Sequence, residues 1–228
     1  MQTPDLDFEG DGARHFAGVI SRSDAEGLAA RLACNLNGMP GRRLLVEPDV
    51  EALLSVAGSV GGIAASLIGT SARPVRAVLF DKTRDANWTV AWHQDRTIPV
   101  CARHDVEGFG PWSVKDGLCH VAPPMGVLEQ MATLRLHLDD CDNSNAPLTI
   151  ALGSHRLGLV PATESASVAA RHAQFTCLAK TGDVWAYSTP ILHTSATTVS
   201  DRRRRVLQID YAAIDLPQPL SWLGISCD

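Results

Sequence analysis

With 228 residues, 45% of them apolar and 20% charged, the chain has ordinary globular composition and the length of one large β domain, 1–228. Twenty basic residues against 25 acidic give a net charge of −5, which excludes a general electrostatic attraction to nucleic acid or to an anionic membrane. The six cysteines (Cys34, Cys101, Cys119, Cys141, Cys177, Cys227) contain no C-x-x-C pair, so they read as free thiols in a reducing, cytoplasmic setting and not as a disulfide frame or zinc site.

Residues 1–16 are acidic and lack the basic-then-apolar order of a signal peptide. Ser23-x-x-Glu26 ahead of Leu28, Leu32 and Cys34 reads as a capping box opening a helix over 23–37. A second helix is predicted after Pro48, with Asp49 and Glu51 in its first turn, where carboxylates favour the helix dipole. The uncharged run 52–72 is long enough to cross a bilayer, but four glycines (Gly58, Gly61, Gly62, Gly69) and four serines (Ser55, Ser59, Ser66, Ser71) dilute it. The expectation is a buried helix with a close-packed Gly/Ala face, so that 1–72 is mostly helical and packs on a barrel formed by the rest of the chain.

After Arg73-Pro74 the pattern changes to short strands. Residues 75–80 form an apolar run, and 87–92, rich in aromatic and β-branched residues, lead into His93. The stretch 96–131 is rich in glycine and proline and is predicted to be a long active-site loop. Residues 133–139 alternate: Leu134, Leu136 and Leu138 share one face, and Thr133, Arg135, His137 and Asp139 share the other. In a barrel holding a metal, that polar face can line the interior. Further strands are predicted at 148–152, 174–179, 184–187 and 206–212, with turns at Asn145-Ala146-Pro147, Gly153 and Thr181-Gly182-Asp183. Helices followed by many short strands indicate a mainly β fold with flanking N-terminal helices, a barrel or jelly roll over 73–215.

The chemistry centres on Trp92-His93-Gln94-Asp95. On an extended strand, residues two apart project from one face, so His93 and Asp95 point into the same space. With His193 they make two histidines and one carboxylate, the ligand set of non-haem Fe(II) oxygenases. A second His-x-Asp, His137-Leu138-Asp139, also lies upstream of His193, and spacing alone leaves either pair open.

From about residue 75 to 213 the chain resembles the phytanoyl-CoA dioxygenase family of Fe(II)- and 2-oxoglutarate-dependent oxygenases. Three segments carry the resemblance: Leu79-Phe80-Asp81-Lys82 through His93-Gln94-Asp95; Leu134 to Asp140 with Asn145-Ala146-Pro147-Leu148 and Gly153-Ser154-His155; and Gly182-Asp183, His193-Thr194-Ser195 and the arginines leading to Tyr211. The resemblance implies a double-stranded β-helix (cupin-like jelly roll) core, metal ligands His93, Asp95 and His193, and Fe(II), 2-oxoglutarate and O2 as cofactor and cosubstrates. It places the arginine for the far carboxylate of 2-oxoglutarate eleven residues beyond the distal histidine, at Arg204, within Arg202-Arg203-Arg204-Arg205. A planar guanidinium can grip a carboxylate through two parallel hydrogen bonds, which lysine cannot copy. Strand alternation sets Arg202 and Arg204 on one side and Arg203 and Arg205 on the other.

Ser195, Lys82 and Arg135 are weaker members of the cosubstrate site by the same resemblance. The chain departs from the family pattern at Ala146, where glycine is common, and in lacking proline ahead of Gly153-Ser154-His155; His155 reads as a structural turn residue. Related halogenases leave that position without a carboxylate so that chloride can bind iron, so by the same resemblance Asp95 implies hydroxylation, with release of succinate and CO2, and leaves desaturation or ring closure open. Trp112, Lys115 and His120 on 96–131 and Arg135 are candidates for selecting a small-molecule substrate. Two other readings are a cupin-like metalloenzyme that does not use 2-oxoglutarate, and a non-catalytic barrel that binds a ligand or nucleic acid through the arginine run. The sequence is silent on oligomeric state.

Overall fold

The computed structural model describes residues 5–33, 41–44 and 48–225; the predicted helix end at 34–37, Cys34 and Cys227 lie outside them. The elements in order are β1 (Ala13–Phe16), α1 (Arg22–Ala33), β2 (Gly41–Leu44), α2 (Pro48–Leu54), α3 (Gly61–Ile68), β3 (Arg73–Lys82), β4 (Val90–His93), β5 (Ile98–Val100), β6 (Trp112–Lys115), β7 (Leu118–Val121), α4 (Met125–Leu128), β8 (Met131–His137), β9 (Leu148–Ala151), α5 (Ser165–Ala169), β10 (Gln174–Cys177), β11 (Val184–Ser188), β12 (His193–Ser195) and β13 (Arg204–Ala212). The strands form a six-stranded sheet ordered β1-β11-β8-β13-β3-β2, a four-stranded sheet ordered β10-β9-β12-β4, and a small sheet ordered β5-β7-β6. The first two sheets make the jelly roll.

Strand alternation divides the large sheet into two chemically different faces. Its outer face presents Ala77 and Leu79 of β3, Leu134 and Leu136 of β8, and Leu207, Ile209 and Tyr211 of β13. These pack against Ala25, Leu28, Ala29 and Leu32 of α1, Leu54 of α2 and Ile63 and Ala64 of α3, and the Tyr211 hydroxyl donates to the Leu54 carbonyl at 2.8 Å. Each fully buried leucine contributes about 1.5–3 kcal/mol. The inner face carries Thr133, Arg135 and His137 of β8, all buried. The polar face therefore lines the interior over 133–137, while Asp139, past the end of β8, does not share it.

Four expectations are corrected. The cap of α1 is Ser21, two residues ahead of Ser23: its hydroxyl accepts from the Asp24 amide at 3.1 Å and donates to the Asp24 carboxylate at 2.6 Å. The first 72 residues are not mostly helical throughout, because β1 and β2 form the two edges of the large sheet. The 52–72 run holds the end of α2 and all of α3, and Gly58 and Gly61 serve the turn between them. A Cβ on Gly61 would lie 2.0 Å from the Ser55 carbonyl oxygen, so this glycine permits close backbone approach and does not pave a helix face. Finally, 96–131 is not one long loop. It folds as the three-stranded sheet and α4, on a core of its own built from Ile98, Val100, Val121 and Leu128 with Val75 of β3.

The turn at 145–147 shows why glycine suits this position. Ala146 sits at φ +59°, the left-handed region, where a Cβ crowds the following carbonyl at a cost of about 1–2 kcal/mol. Its carbonyl accepts from Arg204 and, at 3.2 Å, from the Ser195 hydroxyl, so the turn is pinned in place despite the strain. Ala146→Gly relieves the crowding but enlarges the unfolded ensemble, which offsets part of the gain. A net stabilisation of about 1 kcal/mol is expected, read as a higher urea midpoint with unchanged slope.

Candidate active site

The strand β12 pairs antiparallel with β4, and the register sets His193 directly opposite His93. A bulge in β4 follows, since Ser195 stands opposite Val90 and one extra residue is taken up. Residues 90 and 93 would face opposite ways on a regular strand; here both line one cavity. The two imidazole centroids are 4.2 Å apart. β4 ends at His93, and the extended chain beyond it keeps the alternation: Asp95 returns to the cavity while Gln94 turns away. One ligand atom from each of His93, Asp95 and His193 lies within 4.8 Å of the others, a group that could hold one metal ion.

Hydrogen bonds fix these side chains. His93 Nδ1 bonds the Ala91 carbonyl at 2.8 Å and His193 Nδ1 bonds the Ile191 carbonyl at 3.0 Å. A carbonyl only accepts, so each Nδ1 carries a proton, which in a neutral ring leaves the lone pair on Nε2. Burial pushes His193 down to about 4, Asp95 opposing and His93 adding, so its imidazole is neutral. Burial works against the Asp95 carboxylate, but Arg76, His193 and His93 together hold it below the usual carboxylate range. Gln94 is buried and makes three bonds: Nε2 donates to the carbonyls of Gly158 (2.9 Å) and Pro190 (2.8 Å), and Oε1 accepts from the Val160 amide at 2.9 Å. It locks the chain between the two candidate ligands.

Beside the triad lies a cavity of about 100 Å³, walled by Phe80, Trp88, Val90 and Leu148. Lys82, Arg135 and Arg204 line it against a single acid, Asp95. Arg204 is buried, bonds the Ala146 carbonyl, and has a buried Nε without a protein partner; the Nε of Arg135 is in the same condition. Burial and then Arg135 push Arg204 down to about 10. Arg135 also donates to Gln208 Oε1 at 2.8 Å. Lys82 is already occupied: its ammonium donates to the carbonyls of Trp88 (2.7 Å) and Ala196 (2.8 Å), with the Ser195 hydroxyl at 3.4 Å. Burial, followed by Arg204 and Arg135, lowers Lys82 to about 8. These orphaned guanidinium nitrogens and surplus positive charge fit a dicarboxylate.

The rival pair is split. His137 points inward, but Asp139 lies past the end of β8 and accepts from Arg205 at 2.7 and 2.8 Å. Among the described residues, no second group of metal-ligand side chains forms. The outer arginines are likewise committed, Arg202 to Asp142, Arg203 to Asp81 and Arg205 to Asp139, leaving Arg204 as the inward member of the run. His155 bonds the Glu9 carbonyl at 3.1 Å, a turn contact remote from the triad.

Comparison with family models matches residues 57–206 to the phytanoyl-CoA dioxygenase model. The chain belongs to the phytanoyl-CoA dioxygenase family. Membership makes it an Fe(II)- and 2-oxoglutarate-dependent oxygenase, with O2 as the other cosubstrate. Its fold is that of a non-haem 2-oxoglutarate-dependent carbocyclase, SnoK, from nogalamycin biosynthesis (16% identity, TM-score 0.67, covering 91% of this chain and 82% of that one). It is also similar to the epimerase SnoN, solved with Fe3+, 2-oxoglutarate and a nogalamycin derivative (16% identity, TM-score 0.64, 93% and 88% covered). A third similar structure is HygX from Streptomyces hygroscopicus, solved with nickel, 2-oxoglutarate and hygromycin B (15% identity, TM-score 0.60, 90% and 84% covered). Comparison with curated proteins gives no match.

Several residues important to the site are not evident from the family motifs. Arg76 on β3 and Asp210 on β13 are cross-strand partners and form a buried ion pair, with Arg76 also 3.7 Å from Asp95. Burial, with Asp95 adding and Arg76 opposing, holds Asp210 above the usual carboxylate range. Tyr187 packs its ring against His193, 5.6 Å between centroids. The available signal for the pair is a charge at an inward position of each apolar strand, since buried charges require partners.

Removing one member of this pair strands a buried charge. Arg76→Leu is expected to destabilise by about 3–5 kcal/mol, and Arg76→Leu with Asp210→Leu to recover much of the loss, as measured by urea unfolding in a double-mutant cycle. A second expectation concerns His137, which burial and then Arg135 and Arg204 hold well below the ordinary histidine range. Below about pH 6 the unfolded chain takes a proton that folded His137 refuses, so stability falls with pH in that window. His137→Asn should remove about 1.4 kcal/mol per pH unit of that fall, read from unfolding free energies at successive pH values.

Proposed function

We propose that this oxygenase hydroxylates a small molecule, with His93, Asp95 and His193 holding Fe(II) and Arg204 gripping the far carboxylate of 2-oxoglutarate. The observation that carries this reading is the convergence of the three ligand atoms beside a cavity whose polar lining is cationic and partly unpartnered. When bound, the metal would supply the redox chemistry by which O2, 2-oxoglutarate and the substrate become succinate, CO2 and the hydroxylated substrate, one oxygen atom of O2 going to each organic product.

The chain's own residues prepare that chemistry. The Ala91 and Ile191 carbonyls hold both imidazoles in the tautomer that offers Nε2 to a metal. Arg76 keeps Asp95 ionised and oriented. Arg204 reaches in with an unspent Nε, and Arg135 adds a second cationic contact for the same dianion or for a substrate anion. Lys82 acts as a brace, tying the end of β3 to the backbone at 88 and 196, and Ser195 helps hold the Ala146 turn on which Arg204 rests. The apolar walls at Phe80, Trp88, Val90 and Leu148 limit water at the reacting centre.

Asp95 supports hydroxylation over halogenation, because a carboxylate fills the position that chloride would need. The small-molecule ligands of similar folds, such as hygromycin B in HygX, support a small substrate. The four described cysteines are free thiols, which fits a reducing cytoplasm.

Succinate formation by the purified protein should require both Fe(II) and 2-oxoglutarate, and His93→Ala should abolish it. A bidentate, charge-assisted pair is worth about 3 kcal/mol, so Arg204→Gln should weaken 2-oxoglutarate binding by roughly 100-fold, with little rescue in Arg204→Lys. Mass spectrometry of the product should show the gain of one oxygen atom. Succinate release without iron, or wild-type 2-oxoglutarate affinity in Arg204→Gln, would remove this reading.

A further inference from the structure

Two chambers meet at Asp95. The inner one is the cosubstrate cavity; the outer one shares Phe80, Asp95 and Gln208 with it. The outer chamber is lined by the cations Arg42, Arg43, Arg76 and Lys115 and by the acids Asp95 and Asp116.

The cations are not equally committed. Arg76 is spent on Asp210 and Asp95. Arg43 pairs with Asp116, joining β2 to the turn between β6 and β7, yet its Nε is buried without a partner. Lys115, at the end of β6, meets only the Thr97 hydroxyl at 2.9 Å, and no carboxylate lies within ion-pair distance of it among the described residues. Partial burial, then Arg76 and Arg43, push Lys115 below the usual lysine range. The neighbouring His120 adds no charge: burial pushes it to about 4, with Arg43, Lys115 and Arg76 adding against a backbone hydrogen bond. Crowded cations with unspent donors beside a reaction centre form a receptor for an oxyanion.

We infer that the outer chamber binds a phosphate, sulfate or carboxylate group of the substrate through Lys115 and Arg43, so the substrate is a small anionic molecule. This rests on the proposed oxygenase reading for its placement beside the reacting centre, while the binding itself is measurable without metal or turnover. Lysine at 115 supplies a mobile point charge on an exposed hairpin, and Arg43 a planar donor from the opposite wall.

The test is calorimetric titration of the metal-free protein with phenylphosphonate, with benzyl alcohol as the uncharged control. Lys115→Gln should weaken phenylphosphonate by roughly tenfold and Lys115→Arg should restore it, while Arg204→Gln leaves it within about twofold of wild type. Binding of 2-oxoglutarate with Mn(II) should show the reverse pattern, lost in Arg204→Gln and kept in Lys115→Gln. Equal phenylphosphonate affinity in wild type and Lys115→Gln, no measurable affinity, or loss confined to Arg204→Gln would overturn the inference. If 2-oxoglutarate fails to bind while Lys115-dependent phenylphosphonate binding persists, the oxygenase reading falls and the anion chamber stands.

Discussion

The whole site depends on one backbone register, the pairing of β4 with β12 that sets His93 opposite His193. Because the two histidines belong to hydrogen-bonded neighbouring strands, their separation is fixed by sheet geometry and not by loop conformation. The carboxylate follows from continuing the same alternation past the end of β4, with Gln94 turned outward and held by three hydrogen bonds. The bulge between 90 and 93 matters equally, since a regular strand would have turned Val90 out of the cavity. A one-residue slip of β12 would remove His193 from opposition to His93 and dissolve the group.

Holding these polar groups inside a barrel has an electrostatic cost. Arg76, Asp210, Arg135, Gln208 and Arg204 all sit on inner positions of strands whose outer positions are leucine, isoleucine and alanine. The floor of the site is partly satisfied: Thr133 donates to Asp210 at 3.1 Å, Asp210 pairs with Arg76, and Arg76 reaches Asp95. The wall at Arg135 and Arg204 is not, with guanidinium nitrogens left unpartnered. Well-packed apolar residues would serve stability better than buried ions, so packing alone does not account for these unsatisfied cations. The outer leucines, packed on α1, α2 and α3, contribute the burial that lets the inner face remain polar.

Much of this was legible in the chain, and the illegible parts have physical causes. The alternation at 133–139 separates an apolar from a polar face by period alone, and the folded strand keeps that separation. His93-Gln94-Asp95 with His193 could be read from residue types and family resemblance, but the rival at His137 and Asp139 could be separated from it only by seeing where β8 ends. Spacing said that two carboxylates stood two residues from a histidine; it could not say that Asp139 turns to the edge and bonds Arg205. Arg204 was recoverable from the spacing that the family resemblance implies, eleven residues beyond His193; alternation parts it from Arg203 and Arg205 but not from Arg202, and the acids that neutralise its neighbours come from positions 81, 139 and 142. The strands β1, β2, β5, β6, β7 and β12 were missed because each has only three or four residues and draws its stability from partners distant in sequence. Gly58 and Gly61 misled for a related reason: composition shows small residues, while their role is set by carbonyls at 52, 53 and 55 that approach too closely for a Cβ.

The two chambers also differ in where their residues come from. The candidate metal ligands and the arginines of the inner chamber stand on or beside strands of the two jelly-roll sheets: β8, β12 and β13 have ladders on both sides, and β4 is held in register by its ladder to β12. Arg42 and Arg43 come from an edge strand, while Lys115 and Asp116 come from a hairpin outside the two large sheets. An edge strand and a hairpin tip can change length and side chains without disturbing the register that aligns His93 with His193. Such a division lets the oxidative chemistry stay fixed while the charge of the outer wall changes with the substrate. In this chain that wall is basic, and apart from Arg76, which pairs with Asp210 inside the barrel, its cations stand on the edge strand and the hairpin.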